Sequence, residues 1–386
     1  MAVNEAFLDA LTSTLPRGWR SMSNDDVYGQ QAQAEATDQP KVNVLLTGMA
    51  GVGKSTMING VIGHEVAPVG VGRPVTMTVD EYTEPGVPIR FFDSRGIELG
   101  ENVDGTSARI SKIIREQYLR DDDEFVDVAL YCVNEGSWRL LDFEEKIITD
   151  LAATMPVFLV LTQCYSDATD TQSVAFIKDI GARNLPIVGG RPMRVLAQGR
   201  RFGPAWVPPS GLGELVEAIY QELPNAKKRS FARGQAVRIE LKITEARKVV
   251  AWATGVAALI GAVPLPILDS GPLSTLQIAM LARIQVAMGL NIDKESMARA
   301  VLPVLATMNA GRSLSKALLT FIPVAGTAIN GTIAATMTGA LGEAYIQACA
   351  LALRQVNDPN RRLSAAEAQS LVVAELRARL TRFLKS

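Results

Sequence analysis

The chain has 386 residues, 48% of them hydrophobic and 20% charged, with a formal net charge of −1. This length exceeds what one ordinary hydrophobic core accommodates, and the near-neutral charge argues against a nucleic-acid binder that works through bulk charge. One histidine argues against a multi-histidine metal site or a Ser-His-Asp triad, and three cysteines without paired spacing indicate reduced thiols in a cytoplasmic protein.

Residues 1–40 are predicted to hold a short amphipathic helix followed by a polar linker. Apolar residues recur at helical spacing between Phe7 and Leu15, and the segment lacks the basic start and apolar run of a secretion signal. Residues 21–40 are polar and poor in large apolar side chains, which is typical of a linker. We therefore expect the first domain to begin at Lys41.

Residues 41–224 alternate strand-like runs with helical patterns. The strand-like runs are VNVLLT, MTVDEYT, IRFF, VDVALYCV, VFLVLT and MRVLA. Strands that alternate with helices imply βαβ units, and runs that are apolar throughout are typical of parallel strands covered on both faces. The predicted fold of this domain is a three-layer α/β domain with a mostly parallel sheet.

The first strand-like run leads into a glycine-rich turn with the pattern G-x-x-x-x-G-K-[ST], followed by a helical pattern. The glycines let backbone amides converge on phosphate groups, and the helix N-terminus adds a favourable dipole. We expect Lys54 to reach the β and γ phosphates and the Ser55 hydroxyl to bind Mg²⁺. The predicted nucleotide-binding residues of this turn are Gly48, Ala50, Gly51, Val52, Gly53, Lys54, Ser55 and Thr56.

Two later segments have the order and strand context of magnesium-binding switch elements. The sequence Asp93-Ser-Arg-Gly96 follows the IRFF run, where Asp93 is expected to hold Mg²⁺ and the Gly96 amide to meet the γ-phosphate. Thr76, in GRPVT, is predicted as the switch threonine, with Thr78 in reserve. The predicted catalytic residues are Lys54, Thr76 and Gly96, and the predicted magnesium ligands are Ser55, Thr76 and Asp93.

Taken together, GKSTMING, PVT and the D-x-x-G element resemble the Era-like branch of P-loop GTPases. The resemblance implies GTP and GDP as ligands, Mg²⁺ as cofactor and hydrolysis of GTP as the reaction. The residue after Gly96 is Ile97, where many GTPases place a water-orienting glutamine. An apolar residue at this position is usual in the Era-like branch, and it implies slow turnover, or a catalytic group supplied by a partner, a second subunit or potassium.

The guanine-reading segment departs from the family pattern. Thr162-Gln163-Cys164-Tyr165 stands where Asn or Thr, Lys, any residue and Asp are expected, so tyrosine replaces the aspartate. Asp167 is the nearest carboxylate that could substitute, provided that the loop differs. Ala197 resembles the alanine whose backbone amide contacts the guanine oxygen. Thr162, Gln163 and Ala197 are therefore predicted nucleotide-binding residues, and the choice between guanine and adenine stays open.

Residues 225–386 are predicted to form an all-α domain. A basic stretch from Lys227 to Arg247 precedes long apolar stretches rich in small residues, and strand signals are absent. The sequence AVPLPILD at 262–269 resembles the helical domain fused behind Era-like GTPases in bacteria. Ser364 and Glu367 have the spacing of a capping box at the start of the last helix.

The leading functional hypothesis is a slowly hydrolysing, GTP-binding switch whose helical domain responds to the nucleotide. The alternatives are a dynamin-like membrane-associated protein, a P-loop ATPase with relaxed base selectivity, and a nucleotide binder without turnover. Residues 317–342 carry no charge and exceed the ~20 residues of a membrane span, but their Ala, Gly and Thr content favours a helical bundle. A membrane surface, a second copy of the chain and an unknown effector remain as partners besides guanine nucleotide, and no specific nucleic acid is expected.

Overall fold

The computed structural model describes residues 24–37, 39–67, 80–93, 125–262, 271–290, 325–356 and 363–385. The chain divides into two compact units, Gln39–Arg238 and a helical unit formed by Met1–Asp38 together with Ile239–Ser386. The helix predicted within residues 1–20 lies outside the described residues.

The elements are numbered through the described residues in chain order. The strands are β1 (Val42–Gly48), β2 (Asp80–Thr83), β3 (Ile89–Asp93), β4 (Val128–Asn134), β5 (Val157–Thr162), β6 (Met193–Val195), β7 (Arg200–Phe202) and β8 (Ala205–Val207). The helices are α1 (Asn24–Thr37), α2 (Lys54–Ile62), α3 (Asp142–Ala152), α4 (Thr171–Ala182), α5 (Leu212–Glu222), α6 (Asn225–Gly234), α7 (Ile239–Ala262), α8 (Gly271–Met288), α9 (Ala325–Val356) and α10 (Ala365–Lys385).

The first unit is built on a six-stranded sheet in the order β2-β3-β1-β4-β5-β6. All neighbouring strands are parallel except β2, which runs antiparallel to β3. Every residue of β1 and of β5 is buried, as expected for central strands with both faces covered. Each predicted strand-like run contains one strand of this sheet, so the prediction of a mostly parallel α/β fold is confirmed.

Helix α6 lies in the first unit, although the predicted all-α domain began at residue 225. The Lys227 ammonium lies 2.9 Å from each carboxylate oxygen of Asp127, and one of these oxygens also accepts a hydrogen bond from the Asn43 backbone amide at 2.8 Å. Both partners of this ion pair are largely buried. The pair connects α6 to the segments that open β1 and β4, so the unit extends to Arg238.

Helix α1 corrects the prediction of a polar linker at residues 21–40. Val27 and Tyr28 are buried in the core of the helical unit, and the Glu35 carboxylate lies 3.5 Å from the Arg283 guanidinium. The segment is rich in Ala and Gln, which are good helix formers. A few buried side chains dock a helix whose remaining residues are polar, and composition alone does not reveal such docking.

Small residues allow close packing of α7, α8 and α9 in the helical unit. Gly342 of α9 lies against Val250 of α7 and Met280 of α8, where an added Cβ would come within 2.6 Å of a Val250 methyl group. The Gln277 amide donates a hydrogen bond of 3.1 Å to the Thr338 hydroxyl inside this core. No helix among the described residues is long and apolar enough to cross a membrane.

The capping box predicted before the last helix is confirmed. The Ser364 backbone amide donates to a Glu367 carboxylate oxygen at 2.8 Å, and the Glu367 amide donates to the Ser364 hydroxyl at 3.3 Å. Helix α10 follows at Ala365. Each contact satisfies a backbone donor that the first turn of a helix leaves without an intrahelical partner.

Candidate functional site

The glycine-rich turn connects β1 to α2 through positions that only glycine occupies without strain. Gly48 has φ +135°, and an added Cβ would lie 2.2 Å from the carbonyl oxygen of Cys132 on the neighbouring strand β4. Gly53, at the N-terminus of α2, has φ +100°. The backbone of β1 thus passes close to β4 and then turns into the helix, with its amides at the pocket described below.

Three of the predicted site residues converge where this turn meets β3. The buried Lys54 ammonium donates to the carbonyls of Gly48 and Met49 at 3.3 and 3.2 Å and lies 4.0 Å from an Asp93 carboxylate oxygen. The Ser55 hydroxyl donates to the other Asp93 oxygen at 3.5 Å. One cation, one hydroxyl and one carboxylate are therefore assembled at a helix N-terminus, where the cation and the helix dipole favour a phosphate.

A magnesium ion fits this donor set. Mg²⁺ prefers hard oxygen ligands, and proteins commonly hold it through one or two side chains together with water and substrate phosphates. Ser55 and Asp93 offer such oxygens. The described part of the chain contains no group of three or more His, Cys, Asp or Glu residues suited to a metal ion, so phosphate oxygens or water would have to complete the shell. Thr76 and Gly96, also predicted for this site, lie outside the described residues.

A pocket of about 590 Å³ extends from the glycine-rich turn to the segments that follow β5 and β6. Its size is suited to a nucleotide-sized ligand. The lining includes the predicted binding residues Gly51, Gly53, Lys54, Ser55, Thr56, Thr162, Gln163 and Ala197. It also includes Tyr165, Gln198 and Arg200. Of the remaining predicted residues, Val52 is buried and Ala50 is exposed in the turn itself.

Thr162 and Gln163 support the backbone of the glycine-rich turn. The Thr162 hydroxyl oxygen lies 2.6 Å from the Val52 carbonyl oxygen and 3.1 Å from the Val133 carbonyl oxygen, and its single hydrogen is shared between them. The Gln163 side-chain amide donates to the Gly51 carbonyl at 3.0 Å, and Gln163 itself has φ +56°. Besides lining the pocket, the two side chains therefore hold two carbonyls of the turn.

Asp167, the nearest carboxylate to the base-reading segment, lies outside the pocket lining and bonds within its own loop. One of its carboxylate oxygens accepts hydrogen bonds from the backbone amide and the hydroxyl of Thr169, at 2.9 and 2.8 Å. Asp167 is exposed and is absent from the pocket lining. Arg200, by contrast, reaches the pocket from the β7–β8 hairpin, and no motif of the sequence singled it out.

A buried ionic cluster fixes the loop that carries Tyr165. The Arg194 guanidinium contacts both carboxylate oxygens of Glu135, while the hydroxyls of Ser166 and Ser173 donate to the same carboxylate at 2.9 Å. Burial alone would raise the pKa of Glu135, but the hydrogen bonds from Arg194, Ser173 and Ser166 together lower it. The cluster joins β6, α4 and the end of β4 to the loop after β5.

Cys164 is a packed thiol. It is buried, and its Sγ donates to the Leu161 carbonyl at 3.1 Å. Burial, followed by the nearby Glu135 carboxylate, raises the pKa of Cys164 to about 12. A thiol with this pKa is protonated at neutral pH and is a poor nucleophile.

Part of the chain is similar to known proteins. Residues 43–163 match the model of a family described as 50S ribosome-binding GTPase. Among solved structures, the septin GTPase domain from Chlamydomonas reinhardtii is 14% identical, with 54% of this chain and 94% of that chain covered at a TM-score of 0.36. Era from Aquifex aeolicus is 20% identical, with 58% and 69% covered at a TM-score of 0.35.

Toc33 from Arabidopsis thaliana is 19% identical, with 53% of this chain and 94% of that chain covered at a TM-score of 0.34. A search of curated proteins found no match. The family model covers β1, the glycine-rich turn and α2, Asp93 at the end of β3, and the segment up to Gln163. The match over residues 43–163 confirms the resemblance to P-loop GTPases found in the sequence.

Proposed function

We propose that this protein is a magnesium-dependent switch that binds GTP, hydrolyses it slowly, and passes the state of the nucleotide to its helical unit. Lys54 would hold the β and γ phosphates, Ser55 and Asp93 would hold Mg²⁺, and the amides of the glycine-rich turn would enclose the phosphates. Thr76 and Gly96 are proposed to complete the catalytic site. Slow turnover is proposed because Ile97 stands where many GTPases carry a water-orienting glutamine.

The observation that carries this proposal is the convergence of Lys54, Ser55 and Asp93 beside a pocket of nucleotide size. Lys54 lies on the first turn of α2 and Asp93 at the end of β3, so two separate parts of the sequence form one polar site. The match of residues 43–163 to a GTPase family supports guanine nucleotide as the ligand.

Nucleotide titration tests this function. We expect GDP and GTP to bind in the presence of Mg²⁺, and Lys54→Ala or Ser55→Asn to weaken GTP binding at least about tenfold, since each removes a charged or metal-bound phosphate contact. Lys178→Ala, an exposed lysine of α4, is the matched control and should bind like the wild type. Unchanged affinity in Lys54→Ala would reject the proposed site.

Three further measurements separate the alternatives. ATP that competes as well as GTP would favour a P-loop ATPase, which the departures in the base-reading segment make the second candidate. Liposome flotation with GDP or a non-hydrolysable GTP analogue tests peripheral attachment to a membrane surface, the property proposed for a dynamin-like protein. The oligomeric state of the nucleotide-bound chain distinguishes a homodimer from a monomer that acts on a separate effector.

A further inference from the structure

The segments after β5 and β6 bring an aromatic and a cationic side chain to the pocket. The guanidinium carbon of Arg200 lies 5.5 Å from the ring centroid of Tyr165 and 5.4 Å from that of Phe202. The two rings meet edge to face with centroids 5.1 Å apart, and an Arg200 nitrogen donates to the Tyr165 hydroxyl at 3.4 Å. We call Tyr165 and Arg200, which both line the pocket, the aromatic–cationic wall.

The wall is held in place from two sides. Phe202 packs against both of its members from the β7–β8 hairpin. The loop that carries Tyr165 is anchored by the Arg194 guanidinium, which donates to the Ser166 carbonyl at 2.8 Å and to the buried Glu135 carboxylate. A planar ligand would therefore meet a surface whose orientation is set before binding, which lowers the entropic cost of binding.

The chemistry of this part of the pocket differs from guanine recognition by a carboxylate. Guanine presents two adjacent donors, the N1 hydrogen and the 2-amino group, and one carboxylate can accept both. Among the described residues that line the pocket, Asp93 is the one carboxylate, and it lies beside Ser55 and Lys54. Tyr165 instead offers a ring face, and Arg200 offers a planar cation that carries no acceptor.

We propose that the purine ring of the bound nucleotide stacks on the wall formed by Tyr165 and Arg200, and that the substituent at purine position 2 is not read. This inference rests on the proposed function and deepens it by naming how the base is held and which bases are accepted. Stacking on an aromatic ring tolerates different bases because every base has a π face, and a neighbouring arginine adds to it. Guanine and hypoxanthine nucleotides are therefore accepted alike.

Calorimetric titration with Mg²⁺ tests the wall, with GTP, ITP and inorganic triphosphate as probes. ITP lacks the 2-amino group, and inorganic triphosphate lacks the base. We expect the wild-type protein to bind GTP and ITP with dissociation constants within about threefold of each other. The reason is that the 2-amino group of guanine meets no charged acceptor in the pocket. We expect Tyr165→Ala to weaken GTP and ITP about tenfold or more, a loss within the range measured for removed base–aromatic stacking.

The variants include controls for ring, fold and phosphate binding. Tyr165→Phe keeps the ring face and should retain GTP affinity within about threefold. Val174→Ala removes an exposed apolar side chain of α4 that does not line the pocket, and it should bind like the wild type. Inorganic triphosphate should bind equally to the wild type and to Tyr165→Ala, which excludes collapse of the phosphate site as the cause of weaker GTP binding.

The outcomes separate this inference from the proposed function. If GTP binds and Lys54→Ala abolishes that binding, but Tyr165→Ala binds GTP like the wild type, the wall is rejected and the switch function stands. A wild type that binds ITP more than about thirtyfold more weakly than GTP also rejects the inference, because a charged acceptor then reads position 2. Failure of the wild type to bind any nucleotide rejects both.

Discussion

At the scale of the residue, the glycine-rich turn depends on the absence of a side chain at Gly48. Gly48→Ala would place a Cβ 2.2 Å from the Cys132 carbonyl oxygen at φ +135°. We expect it to lower the free energy of unfolding by about 3 kcal/mol, the sum of backbone strain and overlap with β4. Chemical denaturation of the intact chain, followed by circular dichroism, measures the loss.

Gly86→Ala is the matched control, because Gly86 has φ +85° and an added Cβ would meet nothing within 4 Å. It should cost about 1 kcal/mol, from backbone strain alone. Equal losses at Gly48 and Gly86 would contradict the assignment of the larger effect to the contact between β1 and β4.

The lowered pKa of Glu135 predicts how the free energy of unfolding depends on pH. Its hydrogen bonds from Arg194, Ser173 and Ser166 lower its pKa in the folded state below the ordinary 4.5. A lowered folded pKa means that the unfolded chain binds the proton first, so the stability that the carboxylate contributes is complete above pH 4.5 and is lost as the pH falls below it. We expect Glu135→Gln to destabilise the protein by about 3 kcal/mol at pH 7, because Arg194 loses the charge of its partner.

Urea unfolding of the wild type and Glu135→Gln between pH 7 and pH 3 checks this prediction. The difference between the two proteins should be constant above pH 4.5 and shrink below it. Glu214→Gln, at an exposed position of α5, controls for the loss of one surface charge and should have little effect. A difference that grows as the pH falls would contradict a lowered pKa of Glu135 in the folded state.

At the scale of the element, two glycines on the same face of α9 have opposite expected effects. Gly342→Ala would place a Cβ 2.6 Å from one Val250 methyl group and 3.2 Å from the Met280 sulfur, whereas at Gly339 the nearest atom is the Thr254 hydroxyl at 3.6 Å. Alanine is the better helix former at both positions by up to about 1 kcal/mol. At Gly342 this gain is outweighed, because the β-branched Val250 has little rotamer freedom within its helix.

We therefore expect Gly339→Ala to raise the thermal unfolding temperature slightly and Gly342→Ala to lower it by several degrees, which corresponds to about 1–2 kcal/mol. Differential scanning calorimetry of the two variants beside the wild type measures both shifts. A higher unfolding temperature in Gly342→Ala would show that α7 and α9 are packed less closely than the structure describes.

At the scale of the whole molecule, the switch hypothesis predicts that the nucleotide changes the helical unit. Hydrogen exchange of the intact chain, compared between GDP and a non-hydrolysable GTP analogue, should reveal altered protection in peptides from α7 to α10. The physical reason is that a ligand with different affinities for two states shifts their populations. Lys54→Ala, which should bind neither nucleotide well, is the control and should show the same exchange under both conditions.

Identical exchange of the helical unit with GDP and with the analogue, at saturating nucleotide, would contradict the coupling and leave nucleotide binding intact. Changes confined to residues 39–238 would have the same meaning. In that case the helical unit would have the same conformation in both nucleotide states.

The sequence by itself determined the features that depend on residues close together along the chain. The pattern from Gly48 to Ser55 sufficed to predict the turn between a strand and a helix. The spacing of Ser364 and Glu367 sufficed to predict the capping box. Alternating strand and helix periods also sufficed for the α/β class, because burial on both faces makes parallel strands apolar throughout.

Tertiary structure decided what depends on contacts between distant parts of the chain. Composition did not predict helix α1, because the helix is held by a few buried side chains such as Val27 and Tyr28. Helix α6 belongs to the first unit, where an ion pair joins Lys227 to Asp127, a hundred residues earlier. Arg200 likewise reached the pocket through the β7–β8 hairpin. Local propensity reflects the backbone preferences of neighbouring residues, whereas these three features result from burial, charge pairing and contacts with aromatic rings that only the folded chain brings together.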